Sequence, residues 1–231
     1  MAEPTRTQAR AAEIRLRWLT LLAFLAPLLV LVAVFGTRFG LWGAGFGLEV
    51  LTFKIARILA FVGLAAALVA VLIAFKDMRR RGLYAAVALI VAGATMALFV
   101  VQGQRFAVSA DNDVTTDAAE APAFSRAVLA MRGGQGGDEA SVACPGLVSV
   151  PRQVAPETAA AALSAAGFTV RGAAPFRADG AKEGFWFGLT YDAAIRIRPG
   201  RTDVRVAQRE GVKVGDEACR LARAVMTGLQ P

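Results

Sequence analysis

The sequence contains no histidine and only two cysteines among its 231 residues. The lack of histidine excludes histidine-based acid–base catalysis and histidine ligation of a metal ion. Charge is also scarce, because Asp, Glu, Lys and Arg make up 19% of the chain. Hydrophobic residues make up 56%, and the mean hydropathy is +0.50. Soluble domains carry about 25% charged residues, so this composition indicates a membrane protein.

Asp, Glu, Lys and Arg are missing from three long apolar runs, at 18–36, 58–75 and 83–101. An α-helix rises about 1.5 Å per residue, so each run is long enough to cross a hydrocarbon core of about 30 Å. We therefore expect three N-terminal transmembrane α-helices, within a membrane region at 18–101. The alternative for the first run is a signal peptide. The run is long for one, and no small-residue cleavage site follows it.

The net charge of +8 is concentrated beside these runs. The N-terminus at 1–17 and the loop at 76–82 carry net charges of +2 and +3, whereas residues 102–231 carry 15 basic and 14 acidic side chains. Positive loops favour the cytoplasmic side, so this pattern predicts a cytoplasmic N-terminus and an external domain at 102–231. In a bacterium with two membranes, that places the chain in the inner membrane and the domain in the periplasm. The predicted partner is the lipid bilayer, and no basic patch indicates nucleic acid.

Between the first two runs lies an apolar segment at 37–54 that contains four glycines. It is too apolar for a free loop and too broken by glycine to span a bilayer. We expect an interfacial segment at the outer headgroup level, with Trp42 as an anchor. Whether it would contact lipid or protein stays open.

The sequence predicts an α+β fold for the external domain. Residues 132–141, RGGQGGDEAS, have the composition of a flexible break. Beyond the break, alternation, turn residues and helical spacing predict the order β-α-β-β-β-β-α, an antiparallel sheet backed by two helices. The expected strands lie at 147–154, 168–174, 184–190, 191–199 and 203–209, and the expected helices begin at Pro156 and near 214.

The predicted 195–206 hairpin alternates apolar and charged residues. One face should pack on the helices, and the other should present Arg196, Arg198 and Arg205. These arginines are candidates for binding an anionic headgroup or a partner. The alternative is a solvated face on which Arg196 or Arg198 pairs with Asp203 across the strands.

Cys144 and Cys219 both fall in the predicted external domain. An oxidising compartment and an even count favour a disulfide between them. Two unpaired thiols are the alternative, whereas a nucleophilic cysteine is disfavoured because no histidine is present to activate it.

An acidic stretch, DNDVTTD at 111–117, follows the last run. Asp111, Asp113, Asp117 and Glu120 could supply oxygen ligands for calcium, or carboxylates for catalysis. The EF-hand arrangement is absent, however. We expect neither a metal site nor a cofactor, and interpret the stretch as a structural segment with capping side chains.

The order of motifs from DVTTD through FWFG to TDVRV resembles the domain-of-unknown-function 1499 family over roughly 108–229. The resemblance implies a membrane-anchored domain, and leaves the activity open. The sequence departs from the expected pattern at 207–219. The matching residues are Asp113, Thr115, Thr116, Asp117, Pro122, Phe124, Trp186, Phe187, Gly188, Asp192, Arg196, Arg198, Asp203, Arg205, Arg209 and Gly211.

Three functions remain under consideration. The first is a non-enzymatic binding module of the cell envelope, with Arg196, Arg198, Arg205 and Trp186 as candidate contact residues. The second is an accessory subunit of a membrane protein complex, held through small-residue helix faces such as that of Gly93. The third is an envelope hydrolase that uses Asp113, Asp117 or Asp192. It is the weakest, because nothing in the sequence places two carboxylates at a working separation.

Overall fold

A computed structural model describes residues 6–75, 77–108, 112–133 and 142–230. The chain divides into two compact units, Met1–Gly103 and Gln104–Pro231. Most of the predicted flexible break, residues 134–141, lies outside the described residues, and so does Asp111.

Three long helices make up the first unit and the start of the second. They are α1 (Arg6–Arg38), α2 (Arg57–Ala74) and α3 (Met78–Val108), and a π-helical segment at Phe46–Ala56 leads directly into α2. Three stretches are long and apolar enough to cross a membrane: Glu13–Arg38, Phe46–Ala74 and Arg81–Arg105. The expectation of three long apolar helices at the N-terminus is therefore confirmed.

The segment at 37–54 is more helical than its glycines suggested. Gly36 and Gly47 leave room for the Trp42 indole, because a Cβ atom on either glycine would clash with that ring. The indole nitrogen donates a hydrogen bond to the Thr37 hydroxyl at 3.1 Å. The two glycines thus allow a tryptophan to close the turn between helices. The interfacial position of the segment stays a prediction.

Alanine and glycine let the helices approach closely. Leu16 packs with Ala70, Ala74 and Ala85, and a second cluster joins Ala23 to Ala67, Ala88 and Ala92. At Gly63 an added Cβ atom would lie 3.2 Å from the Ala23 Cα atom. Small residues on α1, α2 and α3 therefore form the contacts that hold the bundle together.

The second unit is an α+β domain built on one six-stranded sheet. The strand order is β2-β1-β6-β5-β4-β3, and all pairs are antiparallel except β1 with β2. The elements are β1 (Asp113–Thr115), α4 (Arg126–Met131), β2 (Val142–Ala143), α5 (Pro156–Ala165), β3 (Thr169–Ala174), β4 (Arg177–Glu183), β5 (Thr190–Arg198), β6 (Arg201–Gln208) and α6 (Glu217–Leu229).

Helices α5 and α6 pack together on one face of this sheet. Helix α5 begins with Pro156 at its first turn and ends before Gly167, whose φ of +82° suits glycine. Helix α6 buries the apolar face that its spacing predicted, which consists of Ala218, Leu221, Ala222, Val225 and Leu229.

Two predicted strands were wrong. Residues 147–154 form only one isolated bridge, from Val150 to Thr202. The aromatic stretch at 184–190 is a turn, and the strand beside it is β4. Strand β4 escaped detection because it is rich in small and charged residues. Small residues are needed there, since a Cβ atom on Gly180 would lie 3.1 Å from that of Phe168.

Candidate functional site: two arginine–carboxylate networks

The second face of the sheet carries the arginines that the sequence predicted. On β5 and β6 these positions alternate with the apolar residues that face α5 and α6. The alternative of a solvated arginine face holds in part, because Arg196 and Arg198 remain partly exposed. It is wrong for Arg205, because the chain between β1 and Arg132 covers that part of the face. Phe124 and Val128 pack on Ala194 and Ala207 in a buried cluster. Arg205 is consequently only 1% exposed.

Asp203 is the centre of the first network. Its carboxylate accepts hydrogen bonds from the Ser149 hydroxyl at 2.6 Å, Arg198 at 2.7 Å, Arg201 at 2.8 Å and Arg196 at 3.2 Å. Burial alone would raise the pKa of Asp203, but the hydrogen bonds from Ser149 and the three arginines outweigh it and lower the pKa. The cross-strand pairing of Arg196 and Arg198 with Asp203 is confirmed.

The same three arginines hold the covering segment. Asp117 pairs with Arg201 at 2.9 Å, Arg198 at 3.2 Å and Arg196 at 3.3 Å. Glu120 pairs with Arg198 at 2.7 Å and with Arg196 at 3.3 Å. Three arginines thus share three carboxylates, so their charges balance. We call this set the rim network, and its members are Asp117, Glu120, Arg196, Arg198, Arg201 and Asp203.

The second group, which we call the inner network, is more deeply buried. Arg205 pairs with Asp113 at 2.5 Å, and Arg132 pairs with Asp192 at 3.0 Å. Both guanidinium groups lie over the Phe124 ring, at 4.6 Å for Arg205 and 4.9 Å for Arg132. Cations over an aromatic face are attracted by its quadrupole. Phe124 therefore joins two ion pairs into one unit.

Arg209 completes the inner network from the end of β6. It pairs with Asp192 at 2.6 Å, and this hydrogen bond raises the pKa of the Arg209 guanidinium. The Asp192 side chain is fully buried and has two arginine partners. Isolated buried charges are costly, so such pairing is required for a stable fold.

The DNDVTTD stretch has a structural role within the described residues. Asp113–Thr115 forms β1 on the edge of β6. The Thr116 hydroxyl accepts a hydrogen bond from the Val204 amide at 3.0 Å, and the Thr115 hydroxyl donates one to the Val204 carbonyl at 3.2 Å. Across the described part of the chain, no group of three or more acidic or cysteine side chains could hold a metal ion.

The structure brings most of the predicted site residues together and separates one. Asp113, Asp117, Arg196, Arg198 and Arg205 all belong to the two networks, and Thr115 and Thr116 fix the strand beside them. Trp186 belongs to neither network and lies in the turn between β4 and β5.

Sequence analysis missed two network members, Arg132 and Arg201, and one hydrogen-bond partner of Asp203, Ser149. Arg132 had been assigned to the flexible break, yet it is 7% exposed and holds Asp192. Arg201 falls between the predicted strands at 191–199 and 203–209, and Ser149 falls in the predicted strand at 147–154. No local signal identifies these three residues, because each forms a hydrogen bond with a residue more than 50 positions away in the sequence.

The predicted disulfide is confirmed. Cys144 and Cys219 are bonded, with their Cα atoms 5.8 Å apart. The bond ties the chain after β2 to α6, so it links the edge strand β2 to the helical layer.

The described carboxylates of both networks are bound by arginines. At the rim, Arg198 and Arg201 remain partly exposed, so their guanidinium groups can still be reached by an anion from solution. Comparisons with models of known families, with curated proteins and with solved structures found no match.

Proposed function

We propose that this chain is a membrane-anchored, non-enzymatic binding module of the cell envelope. In this proposal α1, α2 and α3 cross the cytoplasmic membrane with the N-terminus inside, and the α+β domain lies outside, in the periplasm of a two-membrane bacterium. Support comes from the three long apolar helices and from the basic residues at 1–17 and 76–82. The motif order supports membership of the domain-of-unknown-function 1499 family.

The pairing of the aspartates is the observation that carries the non-enzymatic part of the proposal. Asp113, Asp117 and Asp192 are the carboxylates that a hydrolase would use, and each is held by at least one arginine within 3.3 Å. A glycoside hydrolase would need two carboxyl groups that flank the scissile bond. The arrangement instead stabilises the covering segment on the sheet.

The rim network supplies the proposed contact with an anionic partner. Glu120 is 67% exposed, whereas its two arginine partners are 21% and 33% exposed. Exposed ion pairs contribute only about 0–1 kcal/mol, so an incoming anionic group could displace Glu120 with little loss. Arg196 and Arg198 would then bind the partner while Asp117 and Asp203 keep them in position.

The test is purification of the full chain from native membranes in a mild detergent, followed by mass spectrometry of the co-eluting molecules. Glu120→Gln should increase retention of an anionic partner, because it removes the competing carboxylate. Glu217→Gln is the matched control, since Glu217 also pairs with an arginine but lies on α6. Equal retention in both variants, or elution without any partner, would count against the rim as the binding surface.

A second candidate function is an accessory subunit of a membrane complex. The observation that favours it is Gly93 on α3, where an added Cβ atom would meet nothing within 4 Å. This differs from Gly63, which is used within the bundle. A stoichiometric membrane protein in the same purification, lost on Gly93→Leu but kept in Glu120→Gln, would support this second function over the first.

A further inference from the structure

A cleft with a volume of about 320 Å³ lies in the α+β domain, lined by residues 148–152, Met226 and Gln230. One wall is the chain that precedes α5, and the other is the C-terminal end of α6. Pockets that bind small molecules have volumes of about 300–1,000 Å³, so the size of this cleft suits a small ligand. All of the lining residues belong to the second unit, so the cleft is formed within one compact unit.

Apolar side chains form the floor and the entrance of the cleft. Val150 and Met226 are buried, whereas Pro151 and Val148 are exposed. Val148 has an exposed fraction of 69%, which makes it one of the large apolar side chains that the domain presents to solvent. A hydrocarbon chain in the cleft would cover this side chain and remove apolar surface from water, which is favourable.

Hydrogen bonds to one buried residue of β6, Thr202, hold the first wall. The backbone amide and carbonyl of Val150 bond the carbonyl and amide of Thr202, at 3.0 and 2.9 Å. The Thr202 hydroxyl donates a hydrogen bond to the Arg152 carbonyl at 2.9 Å and accepts one from the Val154 amide at 3.3 Å. The wall is thus fixed by the protein itself, and a preformed site reduces the entropy lost when a ligand binds.

A positive charge lies at the cleft without a carboxylate to balance it. The Arg152 guanidinium donates a hydrogen bond to the Leu229 carbonyl at 2.7 Å, at the end of α6. Among the described residues, no carboxylate pairs with Arg152. In the rim network, by contrast, three arginines share three carboxylates. A guanidinium has several N–H donors, so the bond to Leu229 leaves others for an anion.

We propose that the cleft binds a medium-chain fatty acid, with the hydrocarbon chain against Val148, Val150 and Met226 and the carboxylate on Arg152. A carboxylate carries one negative charge, and its two oxygens match the donor geometry of a guanidinium. One molecule therefore complements both the apolar lining and the single unbalanced charge. The cleft shares no residue with the rim network, so the inference goes beyond the proposed function and does not depend on it.

The test is photolabelling of the full chain in phosphatidylcholine nanodiscs with octanoic acid that carries a diazirine near the end of its chain. Mass spectrometry of the digested protein should find the label at residues 148–152 or 226–230, and unlabelled octanoate should compete for it. Octanol with the same diazirine should label these residues less, because it lacks the negative charge. Label confined to the long apolar helices, or equal labelling of the cleft by the octanol probe, would overturn the inference.

Arg152→Gln should reduce labelling of the cleft about fivefold, which is the effect of an exposed ion pair that contributes about 1 kcal/mol. The matched control is Arg223→Gln. Arg223 is also exposed and also donates a hydrogen bond to a backbone carbonyl, that of Pro145 at 2.9 Å, but it does not line the cleft. Labelling should stay at the wild-type level in the control. Equal labelling in the two variants would refute the role of Arg152.

A second variant tests the charge while leaving Arg152 and its hydrogen bond in place. Val148 is exposed, so Val148→Glu should preserve the fold. The new carboxylate should pair with Arg152 and repel the ligand, so labelling should fall further than in the uncharged Val148→Gln. Equal labelling of these two variants would contradict the proposed site.

The rim and the cleft can be tested separately. Glu120→Gln changes the rim and should leave labelling of the cleft unchanged. A protein that is labelled at the cleft as expected but gains no anionic partner in Glu120→Gln refutes the rim alone, whereas loss of cleft labelling in Glu120→Gln refutes the cleft as a separate site.

Discussion

Removing the charge of Asp203 should strongly destabilise the α+β domain. Asp203→Asn preserves the shape of the side chain but removes the negative charge that three arginines and Ser149 share. The amide nitrogen of asparagine cannot accept a hydrogen bond, so at least one arginine contact is lost as well.

The expected magnitude follows from burial. The Asp203 side chain is fully buried, and breaking a buried ion pair costs about 3–5 kcal/mol. Asp117 and Glu120 still neutralise part of the arginine charge, so we expect about 3 kcal/mol. For a domain of this size that is a fall in Tm of roughly 10 °C.

The assay is thermal unfolding of the full chain in nanodiscs. Near-ultraviolet circular dichroism monitors the loss of tertiary structure in the α+β domain. Glu217→Gln is the control, because its ion pair with Arg220 is exposed and should contribute less than about 1 kcal/mol. If Asp203→Asn shifts the Tm no more than the control does, the rim network is not a stabilising structure and this reasoning fails.

Two further predictions concern the disulfide and pH. Replacing Cys144 and Cys219 by serine should lower the free energy of unfolding by about 4.5 kcal/mol, as the chain-entropy model gives for a separation of 75 residues, and denaturant unfolding measures this loss. Thiol labelling of the wild-type protein, denatured without reduction, should find no reactive cysteine. Labelling of two thiols would refute the bond. The pKa of Asp203 is lowered in the folded protein, so its contribution to stability should be fully present above about pH 4 and should decline as pH falls through the folded pKa. Asp203→Asn should therefore weaken the loss of stability at acid pH. An unchanged dependence of stability on acid pH would contradict the lowered pKa.

Local patterns were sufficient for the elements whose signal is contained within a few residues. Apolar runs without charge predicted the long helices. Alternation at 195–206 predicted β5, β6 and their pairing, and the spacing of Ala218, Leu221 and Val225 predicted α6. In α6 one face is buried over the whole helix, so the helical period reports burial directly.

Patterns failed where contacts are distant in sequence. The aromatic residues Phe185 and Trp186 have high strand propensity, yet they occupy an exposed turn, whereas the nearby Leu189 is buried. Strand β1 pairs with β6 about 90 residues later, and nothing near Asp113 reveals that partner. No sequence signal predicts the covering segment either. The sequence therefore predicts solvent exposure for charged residues that are in fact buried.

The candidate site was predicted in its residues but not in its role. Arg196, Arg198 and Asp203 were expected to lie together, and they do. Their burial depends on the covering segment that carries Asp117 and Glu120, which lies almost 80 residues earlier in the sequence. Whether a polar face is exposed is decided by the tertiary structure, and alternation along a strand carries no information about it.

The central claim is that the spans place the α+β domain outside the cytoplasmic membrane. The most direct measurement compares protease digestion of intact spheroplasts with that of inverted membrane vesicles, using antibodies against an N-terminal and a C-terminal epitope tag. We predict that the C-terminal tag is lost only in spheroplasts and the N-terminal tag only in inverted vesicles. The opposite pattern, or loss of both tags on the same side, would contradict the account.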